Sequence, residues 1–316
     1  MSTCFLVTAI GTINGTAIIN ELRTKVCDCY ILGADIYPAN YVVNSRDVDE
    51  FYQFPPVMPD VTKYIGFLKE FCVKHHVNAI YSVIDEEVQA LVCERDAFSK
   101  MGVLLCAPDK HTVELCHNKK LFNRWLKGCM PEYCIKTYES FEQINEYPVF
   151  VKPVHGRASA GCKKVENCRQ LEELNIDWVN SVVQEFVTGD MVAVDAICNP
   201  RNSQFFVVQR KELLRNSNGC GIVVEIIDDE RLTQACRRLA NEMQIEGVVN
   251  VEFFVKEDCV QIIEVNPRLP AGTAFSCLAG GNTVCNALHI ARGESCEVKD
   301  TKIGTFYARR YETYEM

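Results

Sequence analysis

Two stretches near the carboxyl end, Val249-Asn-Val-Glu-Phe-Phe-Val255 and Val260-Gln-Ile-Ile-Glu-Val-Asn-Pro-Arg268, alternate apolar and polar residues around the polar turn Lys256-Glu-Asp-Cys259. That pattern predicts an antiparallel β-hairpin. With Val255 opposite Gln261 and a five-residue loop, Glu252 faces Glu264 and Asn250 faces Asn266. Side chains alternate with period two, so these four residues share one face. The other face, Val249, Val251, Phe253, Ile263 and Val265, reads as core. Carboxylates opposed across a ladder repel each other. A hard cation lying over them removes that cost, because Mg²⁺ takes oxygen ligands and keeps waters for a phosphate. The plainer alternative is a solvated sheet face. Pro267 and Arg268 weigh against it, placing a fixed turn and a guanidinium beside the cluster.

The 316 residues are enough for two or three compact units. A net charge of −9 leaves no broad basic surface, so a nucleic-acid partner is not expected. No apolar run approaches the ~18 residues that span a bilayer, so no membrane partner is expected either. The amino terminus, Met-Ser-Thr-Cys-Phe-Leu-Val-Thr-Ala-Ile, has no basic region and reads as a first strand, not a signal peptide. The 18 cysteines are scattered without a C-x-x-C pair. They read as buried thiols in a reducing cytoplasm, not as metal ligands. His75-His76, in a basic helical stretch, reads as surface.

Strands are predicted at 5–10, 29–34, 79–83 and 103–106, and helices from Gly15 to about Leu22, over 61–75 and over 87–100. This alternation predicts a parallel α/β sheet ending near Ala107-Pro108. A second unit, to about 182, holds the helix with Lys119-Lys120 and the strand Pro148-Val-Phe-Val-Lys-Pro153. A third, from Val183 to the end, is strand-rich, with helices near 229–243 and 283–292. The expected division is 1–107, 108–182 and 183–316.

Several residues invite a chemical reading. Gly11-x-x-x-Gly15 follows a strand, with Asp35 further on, but Ile13 and Thr16 stand where a dinucleotide fingerprint needs glycine. It is a junction turn or the wall of a substrate site. Asp85-Glu86-Glu87 either orients a cationic substrate or favours a helix N-terminus. Lys152 lies among apolar neighbours and either meets an anion or sits on an edge strand. The loop after it, with Gly156, Ser159 and Gly161, offers backbone N–H groups to phosphate oxygens.

Taken in order, Pro148–Pro153 with its loop, Val183-Gln-Glu-Phe-Val-Thr-Gly-Asp190, Val249-Asn-Val-Glu-Phe253 and Ile262-Ile-Glu-Val-Asn-Pro-Arg-Leu-Pro-Ala-Gly272 resemble the ATP-grasp superfamily. The similarity is nearest to single-module proteins related to one half of the carbamoyl-phosphate synthase large subunit. It runs from the glycine turn to about residue 293. The resemblance implies an N-terminal parallel α/β (pre-ATP-grasp) domain followed by a two-subdomain ATP-grasp fold with ATP between the subdomains. By motif position, Lys119, Lys152, Ser159 and Gly161 would contact phosphates. Glu185, Phe186 and Val187 would hold adenine, and Asp190 the ribose. Glu252, Glu264 and Asn266 would hold one or two Mg²⁺ ions, with Mn²⁺ a candidate substitute. Arg268, with Lys152, would serve the transferred phosphoryl group. The implied activity joins a small carboxylate to an amine through an acyl phosphate.

Two departures stand out: Arg157 in the lid loop, and Asp190 where glutamate is common. A single module implies something other than a complete carbamoyl-phosphate synthase large subunit. The alternatives are that chemistry with a partner subunit, or a regulatory ATP binder without turnover. An NAD-dependent oxidoreductase is disfavoured by the glycine spacing. A homodimer is the expected assembly.

Overall fold

The computed structural model describes residues 3–156 and 160–316. Its first unit is a parallel sheet of β1 (Thr3–Thr8), β2 (Cys29–Asp35), β3 (Glu50–Gln53), β4 (Ala79–Tyr81) and β5 (Leu104–Leu105), in the order β3-β2-β1-β4-β5. Helices α1 (Ile13–Lys25), α2 (Val61–Lys74), α3 (Asp85–Cys93) and α4 (Arg95–Lys100) connect these strands. The expected helix over 87–100 is thus two helices, which divide at Glu94. Strand β3 was not expected; it is short and half-exposed at the sheet edge.

Strand order reverses between β1 and β4, the place where α/β sheets open a crevice at their carboxyl ends. The glycine turn lies there. The Gly11 N–H donates to Asp35 (2.9 Å), and a Cβ on Gly15 would lie 2.6 Å from Ile10 Cα. The two glycines therefore let α1 leave the strand closely.

Helices α5 (Lys110–His117) and α6 (Lys119–Cys129) lead into a four-stranded sheet. That sheet holds β6 (Thr137–Tyr138), β7 (Val149–Pro153), β8 (Lys163–Val165) and β9 (Ser181–Glu185), ordered β6-β9-β7-β8, with α7 (Cys168–Glu173) beside it. A six-stranded sheet follows. It holds β10 (Asp190–Asn199), β11 (Gln204–Arg215), β12 (Gly221–Ile227), β13 (Gly247–Val255), β14 (Val260–Asn266) and β15 (Phe306–Ala308). Helix α8 (Glu230–Met243) covers one face, while α9 (Thr273–Leu278) and α10 (Thr283–Arg292) join this unit to the first. Parallel α/β and antiparallel layers thus make a mixed α/β chain. We propose drawing the boundary between the last two units within 186–189. A division at 182/183 would cut β9, which pairs wholly with the four-stranded sheet.

The core sits where the alternation of the hairpin directs it. Val249, Val251, Phe253, Ile262 and Val265 pack against Leu232, Cys236 and Leu239 of α8 and Phe122 and Leu126 of α6. A second cluster places Val284 and Leu288 of α10 against Phe5 and Val7 of β1. Among the described residues no helix is long and apolar enough to cross a membrane, and all 18 cysteines are free thiols.

Candidate nucleotide and metal site

The hairpin places Glu252 opposite Glu264 and Asn250 opposite Asn266. Nearer the loop the register differs from expectation. Phe253 pairs with Ile262 and Val255 with Val260, so four residues, not five, close the turn. The shift is a β-bulge at Ile263, one extra residue in β14. The bulge also corrects the core reading. Ile262 is buried, while Ile263 faces the cleft and its carbonyl accepts from Lys152 Nζ (3.2 Å).

Lys152 comes from β7, where Val149 and Val151 point into the core of their own unit. Phe150 and Lys152 therefore point the other way, across the cleft toward the hairpin. Lys152 is only 4 % exposed. Burial holds its ammonium below the usual lysine range, against the pull of Glu264, and Lys119 adds to the lowering. Lys119 donates to the Gly156 carbonyl (2.8 Å) and stands 3.9 Å from Glu264. Lys120 turns away to the Trp178 carbonyl (2.7 Å).

These groups line a cavity of about 210 Å³ between the two antiparallel sheets. One end is apolar, with Phe150, Phe186, Val187, Met191 and Phe254; the other carries Lys119, Lys152, Glu252 and Glu264. Gly161, Glu185 and Asp190 are not among its lining residues. Gly161 has a left-handed backbone (φ 75°) packed against Pro153. Glu185 accepts from Gln261 (3.4 Å), and Asp190 pairs with Lys211 (2.6 Å). Ser159, like Arg157, lies outside the described residues.

Burial, and then the facing Glu264, push the Glu252 carboxyl up to about 7. Its near neighbours are Asn266 Nδ2 (3.3 Å) and Arg215 (3.7 Å). Both carboxylates thus have only loose cationic partners, and the Asn266 amide stands beside them. This oxygen-rich, under-neutralised set fits a hard divalent cation. The sign of the pH effect follows. The folded protein holds a proton that an unfolded glutamate, near 4.5, has already lost. Apo stability should therefore fall as pH rises from about 4.5 to about 7. Glu87, buried and also raised to about 7, adds the same slope. In thermal melts at pH 5, 6, 7 and 8, Glu252→Gln should flatten part of this slope. Mg²⁺ should stabilise the wild type more at pH 8 than at pH 5. A variant with the wild-type slope would contradict the raised titration.

Arg268 closes the other side. Its Nε and Nη2 grip both oxygens of Asp85 (2.6 and 3.3 Å). The fork expected to meet phosphoryl oxygens is thus occupied by a carboxylate from the first unit, while Arg268 still lines the neighbouring cavity. Asp85 opens α3, so the acidic run both starts a helix and orients Arg268. Glu87, from the same run, is buried and accepts from Thr8 Oγ1 (2.5 Å), Ser82 and Tyr64. Beside the carboxylate pair, Asn250 Nδ2 donates to Asp195 (2.9 Å), whose carboxylate is paired with buried Arg210 (2.7 Å).

Two family models match this chain. One, an ATP-grasp domain, covers residues 116–272; the other, a PylC-like N-terminal domain, covers 7–106. The chain is an ATP-grasp protein. The carbamoyl phosphate synthase large chain of Lachnoclostridium phytofermentans is 27% identical over 242 residues, 70% of this chain and 22% of that one. The corresponding chain of Agathobacter rectalis is 27% identical over 194 residues, 55% of this chain and 18% of that one. This ATP-grasp chain therefore spans about a fifth of the length of the curated relatives it matches. Among solved structures, it is similar to the biotin carboxylase domain of Hydrogenobacter thermophilus 2-oxoglutarate carboxylase, in complex with MgADP, ADP and bicarbonate. That match has TM-score 0.75 and 13% identity, over 97% of this chain and 73% of the other. The L-amino acid ligase of Bacillus licheniformis matches at TM-score 0.70 and 14% identity, over 95% and 75%. These likenesses show the fold.

Proposed function

We propose that the protein is an ATP- and Mg²⁺-dependent ligase that joins a small carboxylate, with amino acids the first candidates, to an amine through an acyl phosphate. The observation that carries this reading is a pair of adjoining cavities. The first is the cleft described above, apolar at one end and charged at the other. The second, about 420 Å³, holds Arg268 and Asn266 and shares Met191, Arg215, Glu252 and Glu264 with the first. A nucleotide in one and an acceptor in the other would meet over the carboxylate pair.

In this reading Phe186 and Val187 flank the base, and Lys119 and Lys152 hold phosphate oxygens. Glu252, Glu264 and Asn266 hold Mg²⁺. The bound ion supplies charge neutralisation for phosphoryl transfer. Arg268, fixed by Asp85, presents its remaining N–H groups to the acceptor carboxylate or the transferred phosphoryl. The protein's part is positioning and electrostatics. Similarity to carbamoyl phosphate synthase favours a second reading of the same site, with bicarbonate as the carboxylate and a partner subunit supplying the amine. Free thiols and the net charge of −9 fit a reducing cytoplasm and small-molecule substrates rather than nucleic acid. The expected homodimer is checked by light scattering.

The test is ADP release from ATP–Mg²⁺ against a panel of the amino acids and bicarbonate, with hydroxylamine as trap. The ligase reading predicts release stimulated by a carboxylate and a hydroxamate of that same acid. Stimulation by bicarbonate alone would favour the second reading. ATP binding without stimulated release would overturn both. Arg268→Lys, which keeps the charge and loses the fork, should lower kcat roughly 10²-fold while ATP affinity changes little. Equal losses in both would remove Arg268 from the transferred group.

A further inference from the structure

Glu212 lies in the acceptor cavity and has no role in the reading above. It sits on β11 facing Val224, just before a register shift between Glu212 and Leu214. Bulges of this kind re-aim side chains next to active sites. The side chain lines the same cavity as Glu252, Glu264, Asn266 and Arg268. Its carboxylate rests on the backbone of Gly221, where a Cβ would collide with it. Its Oε2 is buried and has no hydrogen-bond partner among the described residues.

The cations around it make their ion pairs and hydrogen bonds elsewhere, with Arg210 Nε left without a partner among the described residues. Arg210 pairs with Asp195 and donates to Ser276. Arg215 donates to the Gly219 carbonyl (2.7 Å) and leans toward Glu252 (3.7 Å). Arg309 donates to the carbonyls of Gly221 (3.0 Å) and Ala271. Glu212 is thus a carboxylate in the acceptor cavity with no fixed cation, in a setting that favours proton uptake.

We propose that Glu212 is the general base that takes the proton from the attacking amine. The inference rests on the ligase reading and deepens it. The neutral amine attacks the acyl phosphate carbonyl, and the new C–N bond forms. The C–O bond to phosphate breaks, and phosphate leaves with the electron pair. The proton shed by nitrogen passes to the Glu212 carboxylate and from there to solvent. Burial raises the Glu212 carboxyl, and Asp195 adds to this, while Arg210, Arg215 and Arg309 oppose it. The balance brings a glutamate toward the pH range where a base is most effective.

The test compares two nucleophiles on one acyl phosphate. Hydroxylamine is weakly basic and loses its proton readily to water, so it needs no enzymic base. Ammonia and the amino acids are strongly basic and need one. With the carboxylate that best stimulates ADP release, wild type and Glu212→Gln are each given hydroxylamine, ammonia or the amino-acid panel. The ratio of amide to hydroxamate should fall roughly 10²–10⁴-fold in the variant. In the variant the amide pH profile should keep only the acid limb set by protonation of the amine itself, and Glu212→Asp should recover part of the ratio. An unchanged ratio would overturn the proposal, whether both products fall together or neither does. A wild type that yields no hydroxamate would instead overturn the ligase reading itself, and the base with it.

Discussion

Glu264→Ala should abolish turnover of ATP without unfolding the protein. Glu264 faces Glu252 on the cleft side of the hairpin, and the opposite face packs the core. Truncation would remove one of the oxygen ligands proposed for the cation. Mg²⁺ neutralisation accounts for several kcal/mol of barrier in such chemistry, so a loss of about 10³-fold or more is expected. The apo protein responds differently. Without Glu264 one source of the raised Glu252 titration disappears, and with it the repulsion across the ladder. Apo melting should be unchanged or slightly higher above pH 7, and the extra stabilisation by Mg²⁺ should shrink. If Glu264→Ala turns over ATP at the wild-type rate in Mg²⁺, the carboxylate pair does not hold the metal.

Lys152→Met should weaken ATP binding about 10- to 150-fold, from the ~1.5–3 kcal/mol typical of a charged hydrogen bond. Methionine keeps most of the stem, so the packing of β7 survives. The lost bond to the Ile263 carbonyl is balanced by no longer burying an ammonium that burial already disfavours. Fold stability should therefore change by about 1 kcal/mol or less, in contrast to the loss in affinity. Calorimetry with ATP–Mg²⁺ checks the first expectation and thermal melts the second. Unchanged affinity would return Lys152 to a purely structural position.

The hairpin was legible because period-two alternation ties composition to faces, and the opposed carboxylates follow from it. The bulge at Ile263 was not. Ile262 and Ile263 are interchangeable in an apolar pattern, and only the ladder shows which of them the chain inserts. That insertion matters, because it turns the carbonyl of Ile263 toward Lys152. For β7 the continuous run Val149-Phe-Val151 left open whether Lys152 sat on an edge strand or met an anion; the sheet order β6-β9-β7-β8 places it on an inner strand. Contacts across long separations left no local signal. Asp85 and Arg268 lie 183 positions apart, and their pairing emerges only when the first unit closes on the third. Arg210 with Asp195 is similar: each looks like a surface charge on an alternating strand, yet both are buried, Arg210 in the wall of the second cavity. Strand β3 escaped notice because Glu50-Phe-Tyr-Gln53 is a four-residue edge strand, too short to show a period-two alternation.

The central claim is that this site makes an acyl phosphate from ATP and a carboxylate. It is tested most directly by positional isotope exchange in ATP carrying ¹⁸O at the β–γ bridge, with Mg²⁺ and the carboxylate panel and with no amine. Reversible phosphoryl transfer frees the β-phosphate of ADP to rotate, so the label should move to non-bridging positions. The scrambling should require both Mg²⁺ and one particular carboxylate, and should be absent in Glu264→Ala. A protein that binds ATP–Mg²⁺ but scrambles no label with any carboxylate or bicarbonate would contradict the account.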